Sequence, residues 1–233
     1  VDLGIDDTAA QPDLIMGAAN ESQVLVVGVV PDGKVVNADG EAEPRTRSAV
    51  WAVDPATDSV HQAWLPVVGS TGTVPMASWF DGRWLLVADD AGSENPRAFE
   101  SVDGMDWRDV DFIDSVAMPT SMTAGPVSTI ATFCYGGGDG FWYSTDGFQW
   151  KETTSTLLGH RSIWVDGVGF VITDNPEMPV SLDGVHYRTL GANPVVQDDV
   201  YTGSVMAASS AGKLLMFHPG PAGLWLLGSE QPR

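Results

Sequence analysis

The chain has 233 residues, 43% of them hydrophobic, and a formal net charge of −20. The length allows a sizeable core, the hydrophobic share excludes a disordered chain, and the charge repels phosphate backbones and anionic membrane surfaces. Nucleic acid is therefore excluded as a partner. Direct membrane insertion is excluded too, because no apolar run reaches the length of a membrane span.

The 26 Gly, 15 Pro and 9 Trp suit a β-rich fold with many turns. Cys134 is the only cysteine, so no internal disulfide can form, and its strand-like surroundings predict an inert buried thiol. The opening at Val1 fits a processed chain and is compatible with a removed signal peptide.

In chain order, Val1–Ile5 reads as a first strand. A unit of four follows, at Met16–Ala19, Val24–Val30, Ser48–Val53 and His61–Leu65, with Pro31–Arg47 as a long polar loop inside it. The next four are Met76–Trp79, Arg83–Ala88, Arg97–Val102 and Asp106–Phe112. Then come Met122–Ala124, Ser128–Tyr135, Phe141–Thr145 and Phe148–Thr154. A fourth set is Ser162–Trp164, Gly169–Thr173, Met178–Leu182 and His186–Leu190. After a long connection, Leu190–Tyr201, only three strands remain: Val205–Ala208, Lys213–Phe217 and Leu224–Leu227. Each first strand carries small residues, as a crowded inner strand requires. Asp81-Gly82 and Asp166-Gly167 supply tight turns.

The spacing of these sets, roughly 40 residues, is that of a four-stranded propeller blade. The expected fold is all-β, a single five-bladed β-propeller with four-stranded blades over residues 1–233. The blades fall at about 12–66, 72–112, 118–154, 160–190 and 200–228, and residues 1–5 close the ring as the missing outer strand.

One string recurs at the third-to-fourth strand turns: Ser101-Val102-Asp103-Gly104-Met105-Asp106-Trp107, Ser144-Thr145-Asp146-Gly147-Phe148-Gln149-Trp150 and Ser181-Leu182-Asp183-Gly184-Val185-His186-Tyr187. This S-x-D-G-x-x-(W/Y) pattern resembles the Asp-box, or bacterial neuraminidase repeat, in a form one residue shorter between Asp and Gly. The resemblance implies a structural role. Asp103, Asp146 and Asp183 would accept hydrogen bonds from their own turns, Gly104, Gly147 and Gly184 would take positive φ, and Trp107, Trp150 and Tyr187 would pack between sheets.

A true sialidase is not expected, because no Arg-Ile-Pro motif occurs and the arginines form no triad. Inner strands of Met, Gly, Ala, Ser and Thr lack the paired carboxylates of glycoside hydrolysis. The opposite loop face holds the ligand-binding candidates Arg45, Arg47, Asp89, Arg97, Asp139, His160, Arg161, Asp174, Asp198 and His218. The four histidines have no zinc-ligand spacing, and Asp103 to Asp114 lack the order of a calcium loop, so neither metal nor cofactor is expected. The favoured expectation is a non-catalytic binding or scaffold module for glycan or protein ligands, in an extracellular, cell-surface or virion setting. The alternative is a propeller-type glycoside hydrolase using the loop acids and His160.

Overall fold

The structure, a computed structural model, describes residues 13–36, 42–67, 75–90, 95–113, 118–133, 140–153, 159, 161–192, 206–210, 213–217 and 224–228. The chain divides into two compact units, Val1–Met118 and Pro119–Arg233.

Unit 1 holds two four-stranded antiparallel sheets. The first is β1 (Asp13–Ala19), β2 (Val24–Val36), β3 (Ala42–Asp54) and β4 (Ser59–Trp64), in that order. The second is β5 (Met76–Phe80), β6 (Arg83–Ala88), β7 (Arg97–Ser101) and β8 (Arg108–Val110). Alternation explains their packing, because strand side chains point to opposite faces. Leu25, Val27, Val50 and Ala52 meet Ala77, Trp84, Leu86, Ala88 and Phe99 in one core cluster. Between β5 and β6, Asp81 and Gly82 both take positive φ, 50° and 76°, as a tight hairpin turn demands.

Unit 2 repeats the plan. Its first sheet is β9 (Ser121–Ala124), β10 (Thr129–Thr132), β11 (Phe141–Ser144) and β12 (Lys151–Glu152). Its second is β13 (Ser162–Val165), β14 (Gly169–Ile172), β15 (Pro179–Ser181) and β16 (Tyr187–Thr189). The last is three-stranded: β17 (Met206–Ser210), β18 (Lys213–Phe217) and β19 (Leu224–Gly228). Ile130 and Phe141 pack with Phe170 and Ile172. The proposed closing strand, residues 1–5, lies outside the described residues.

The expected loop at Pro31–Arg47 is corrected: it is largely a β-ribbon. β2 and β3 stay paired out to Val36↔Ala42, past a bulge between Pro31 and Lys34 where Gly33 takes φ 86°. Pro31 and Pro44 are tolerated in it because the ribbon has open outer edges. β1 pairing ends at Val29 and β4 pairing ends at Ala49, so beyond them a nitrogen without a proton can face outward.

Candidate functional site

The ends of each sheet have different chemistry. At one end lie the S-x-D-G turns and the turns between first and second strands. At the other lie the ends of the second strands and the starts of the third, with those loop-face candidates that are described.

The three S-x-D-G turns share one geometry. In the first, Asp103 Oδ1 accepts from Met105 N at 2.8 Å, Asp106 N at 3.0 Å and Ser101 Oγ at 2.9 Å. Asp146 does the same with Phe148 N, Gln149 N and Ser144 Oγ, and Asp183 with Val185 N, His186 N and Ser181 Oγ. The serine hydroxyl also accepts from the glycine N–H at 2.9 Å in each copy. The glycines sit at φ 76°, 80° and 78°. Backbone N–H groups hold the Asp103 and Asp146 carboxyls below the usual carboxylate range. For Asp183, burial opposes ionisation, but hydrogen bonds from the His186 side chain, the His186 and Val185 N–H groups and Ser181 outweigh it and push the carboxyl well down.

These turns also tie sheet to sheet. Gln23 Nε2 donates to Asp103 O at 3.0 Å, while its Oε1 accepts from Trp84 Nε1 at 2.9 Å. In unit 2, Ser128 Oγ donates to Asp183 O at 2.9 Å. An added Cβ at Gly184 would lie 2.6 Å from Ile130 Cγ2, so the glycine permits close approach as well as the turn. Trp107 Nε1 donates to Gly104 O at 3.1 Å; Tyr187, the phenol in the matching position, buries a hydroxyl with no partner among the described residues.

At the other end of the sheets of unit 1, Arg45, Arg47 and Arg97 each have partners of their own. Arg97 is the centre of a cluster: Nε and Nη2 hold Asp109, Nη1 holds Asp90 at 3.2 Å and Pro66 O at 3.0 Å. The Asp109 hydrogen bond, more than that from Asp90, pushes its pKa up. Its donors are spent within the protein, so Arg97 braces the loops more than it offers itself to a ligand. Asp89 is half-buried beside this cluster and takes part in interactions of its own. Arg45 faces Asp32 at 3.5 Å, both exposed on the ribbon, and the Arg47 guanidinium lies 4.8 Å over the Trp64 ring. In unit 2, Asp174 Oδ1 accepts from Arg161 N at 3.1 Å, and Thr173 N donates to Arg161 O at 3.0 Å. Asp139, His160, Asp198 and His218 lie outside the described residues. Among the described residues, no group of three or more His, Cys, Asp or Glu is placed to hold a metal ion.

Sequence reasoning missed two features. Glu100 is a buried carboxylate facing Arg83 at 3.4 Å and touching Arg108, at a strand position that periodicity alone reads as core. A groove lined by Trp79, Asn20 and Asp54 lies at the S-x-D-G end of unit 1. Its signal was available in the polar side chains of the turn Asn20-Glu21-Ser22-Gln23, which the matching turn Gly125-Pro126-Val127-Ser128 replaces with smaller or apolar ones.

No protein-family model matches the chain, and no curated protein matches it in sequence. Solved structures do resemble it. The α-L-arabinofuranosidase Arb93A from Fusarium graminearum, in complex with an iminosugar inhibitor, matches at a TM-score of 0.54 and 13% identity, over 88% of this chain and 72% of that one. A catalytically inactive virginiamycin B lyase from Staphylococcus aureus, with quinupristin, matches at 0.51 and 8%, over 94% and 85%. At such identities the likeness concerns the fold, which is all-β and of the β-propeller type, built from four-stranded antiparallel sheets. The expectation of a non-catalytic binding or scaffold module is corrected by these matches. It rested on inner strands without acids, whereas the folds that this chain resembles include that of a glycoside hydrolase.

Proposed function

We propose that the protein is a glycoside hydrolase of the β-propeller type, with five blades, a ring closed by residues 1–5 and Asp-box hairpins at the end away from the chemistry. The observation that carries this reading is the fold match to the α-L-arabinofuranosidase, at a TM-score of 0.54. Glycoside hydrolysis requires one carboxyl to protonate the leaving oxygen and a second to attack or to activate water. Each unit has an acid half-buried at the end of a second strand, Asp89 in the first and Asp174 in the second, and the sequence adds Asp139, Asp198 and His160 as further candidates. Asp174 Oδ1 accepts from Arg161 N and so fixes the backbone there. A glycan outside the cell is the substrate class that fits an acidic chain with only three lysines.

The test is turnover of a panel of 4-nitrophenyl glycosides, α-L-arabinofuranoside included, with quinupristin as a control for lyase chemistry. Hydrolysis of a glycoside that falls by about a hundredfold or more in Asp89→Asn or Asp174→Asn supports the reading. No hydrolysis across the panel, or hydrolysis untouched by substitution of any of the four aspartates and His160, refutes it.

A further inference from the structure

The groove at the S-x-D-G end of unit 1 has a volume of about 650 Å³. That falls inside the range of about 300–1,000 Å³ typical of small-ligand sites. The half-buried indole of Trp79 lines it, packed edge-on against Trp84 with ring centroids 4.9 Å apart. One wall is the turn from Asn20 to Gln23, the other is Val102 and Asp103, and Asp54 completes the lining.

Its polar groups are fixed in advance. Asn20 Oδ1 accepts from Ser22 N, Gln23 N and Ser22 Oγ, at 2.9, 2.8 and 3.2 Å, which sets the amide plane. Its Nδ2 donors have no partner among the described residues. Asp103 uses Oδ1 for its own turn, leaving Oδ2 as an acceptor. Asp54 is held by Ala56 N and Thr57 Oγ1, both at 2.8 Å. Gln23 is spent at both ends on Trp84 and Asp103, which ties the walls together. Preorganisation of this kind removes ordering cost from binding.

Unit 2 is an internal control. Trp164 stands where Trp79 stands, edge-on to Phe170 at 4.9 Å. There the turn before Ser128 lies directly on the indole: an added Cβ at Gly125 would sit 2.6 Å from Trp164 Cε3. The bond to the aspartate carbonyl is kept there, donated by Ser128. The scaffold therefore demands one donor to the aspartate carbonyl, and Asn20 to hold its turn, but it does not demand Glu21 or an uncovered Trp79.

We propose that this groove binds an uncharged saccharide chain, with Trp79 stacking on a sugar face and Asn20, Glu21, Asp54 and Asp103 bonding its hydroxyls. Ionised carboxylates only accept hydrogen bonds, so the groove calls for a ligand rich in donors. An apolar ligand would desolvate those carboxylates without replacing their bonds. An anionic one would meet three carboxylates in a chain of net charge −20. The groove does not itself catalyse, since the turn bonds of Asp54 and Asp103 hold both carboxyls below the usual range, and neither has a proton to donate near neutral pH. Its use as a holding point for a long substrate rests on the glycoside hydrolase reading; binding itself does not.

The experiment is calorimetric titration of the full chain with arabinopentaose, xylopentaose, mannopentaose and cellopentaose, and separately with pentagalacturonate and pentalysine. At least one neutral pentasaccharide should bind, with Kd raised by about tenfold in Trp79→Ala, Glu21→Ala and Val102→Arg. Glu21 and Val102 are exposed, so those two variants keep the fold and leave the test standing if Trp79→Ala does not. Asp174→Asn, in the other unit, should leave this Kd unchanged while removing turnover. Binding without turnover in the parent chain keeps the groove and refutes the hydrolase. Failure of all four neutral sugars to bind, binding indifferent to Glu21→Ala and Val102→Arg, or binding of pentalysine or pentagalacturonate instead, overturns the proposal.

Discussion

Replacing Asp183 with Ala removes one carboxylate that accepts from Ser181 Oγ, Val185 N and His186 N, each at 2.9 Å. Each such bond contributes about 0.5–1.5 kcal/mol net. The Asp183 side chain is 45% exposed, so water recovers part of the loss. A destabilisation of about 2 kcal/mol is expected, or a fall in Tm of about 4–8 °C for a chain of this size. Asp183→Asn keeps Oδ1 as an acceptor and should lose less than half as much. Urea and thermal unfolding at pH 7 measure both. The pH dependence has a definite sign. The folded pKa is depressed, so the stabilisation is complete above the unfolded value of about 3.9 and is lost as pH falls through the lower folded value. The gap between parent and Asp183→Asn should therefore close as the pH falls below about 4. An Asn variant as damaged as the Ala one, or a gap that widens in acid, would refute the account of the turn.

Other substitutions probe neighbouring parts of the same physics. Gly82→Ala meets no atom within 4 Å and should cost only the left-handed backbone penalty, about 1 kcal/mol. Gly184→Ala adds a Cβ 2.6 Å from Ile130 and should cost about 2–4 kcal/mol, so equal losses in chemical denaturation would reject the close-approach argument. Tyr187→Phe deletes a buried, unpartnered hydroxyl and should leave stability unchanged or raise it slightly; a loss above about 1 kcal/mol would show that the hydroxyl is bonded. Arg97→Lys gives up the bidentate grip on Asp109 and should lower Tm by a few degrees without changing KM, whereas a KM effect with no Tm change would make Arg97 a ligand group.

Local rules made much of the fold readable. The S-x-D-G turn is built from side chains bonding their own backbone two and three residues on, so a seven-residue string carries its whole geometry. The strands are legible because tight turns such as Asp81-Gly82 punctuate a period near 40 residues. The ribbon was not legible, because Pro31 and Pro44 break strand patterns everywhere except at an open edge, and which edge is open is a tertiary fact. The same holds for charges. Arg97 and Arg47 look alike in sequence, yet one is saturated by Asp90 and Asp109 and the other stacks on an indole. Periodicity could place them at the loop end but could not pair them.

Repetition also separates scaffold from function, because equivalent positions have answered the same packing problem several times. Trp84, Thr129 and Phe170 pair with the serine of their own turns, Ser101, Ser144 and Ser181, which sets a common register for the second strands. Four residues further on, that register places Ala88, Phe133 and Asp174 in equivalent positions. Ala88 is fully buried and Phe133 nearly so, at 0% and 4% exposure. An apolar side chain thus satisfies this position in two sheets, while the third holds a carboxylate, half-buried and bonded to Arg161 N. Partial burial of a carboxylate carries a desolvation cost that alanine or phenylalanine would avoid. The bond from Arg161 N offsets part of that cost, so holding this backbone is one job of Asp174, and Asp174→Asn separates it from any part in turnover.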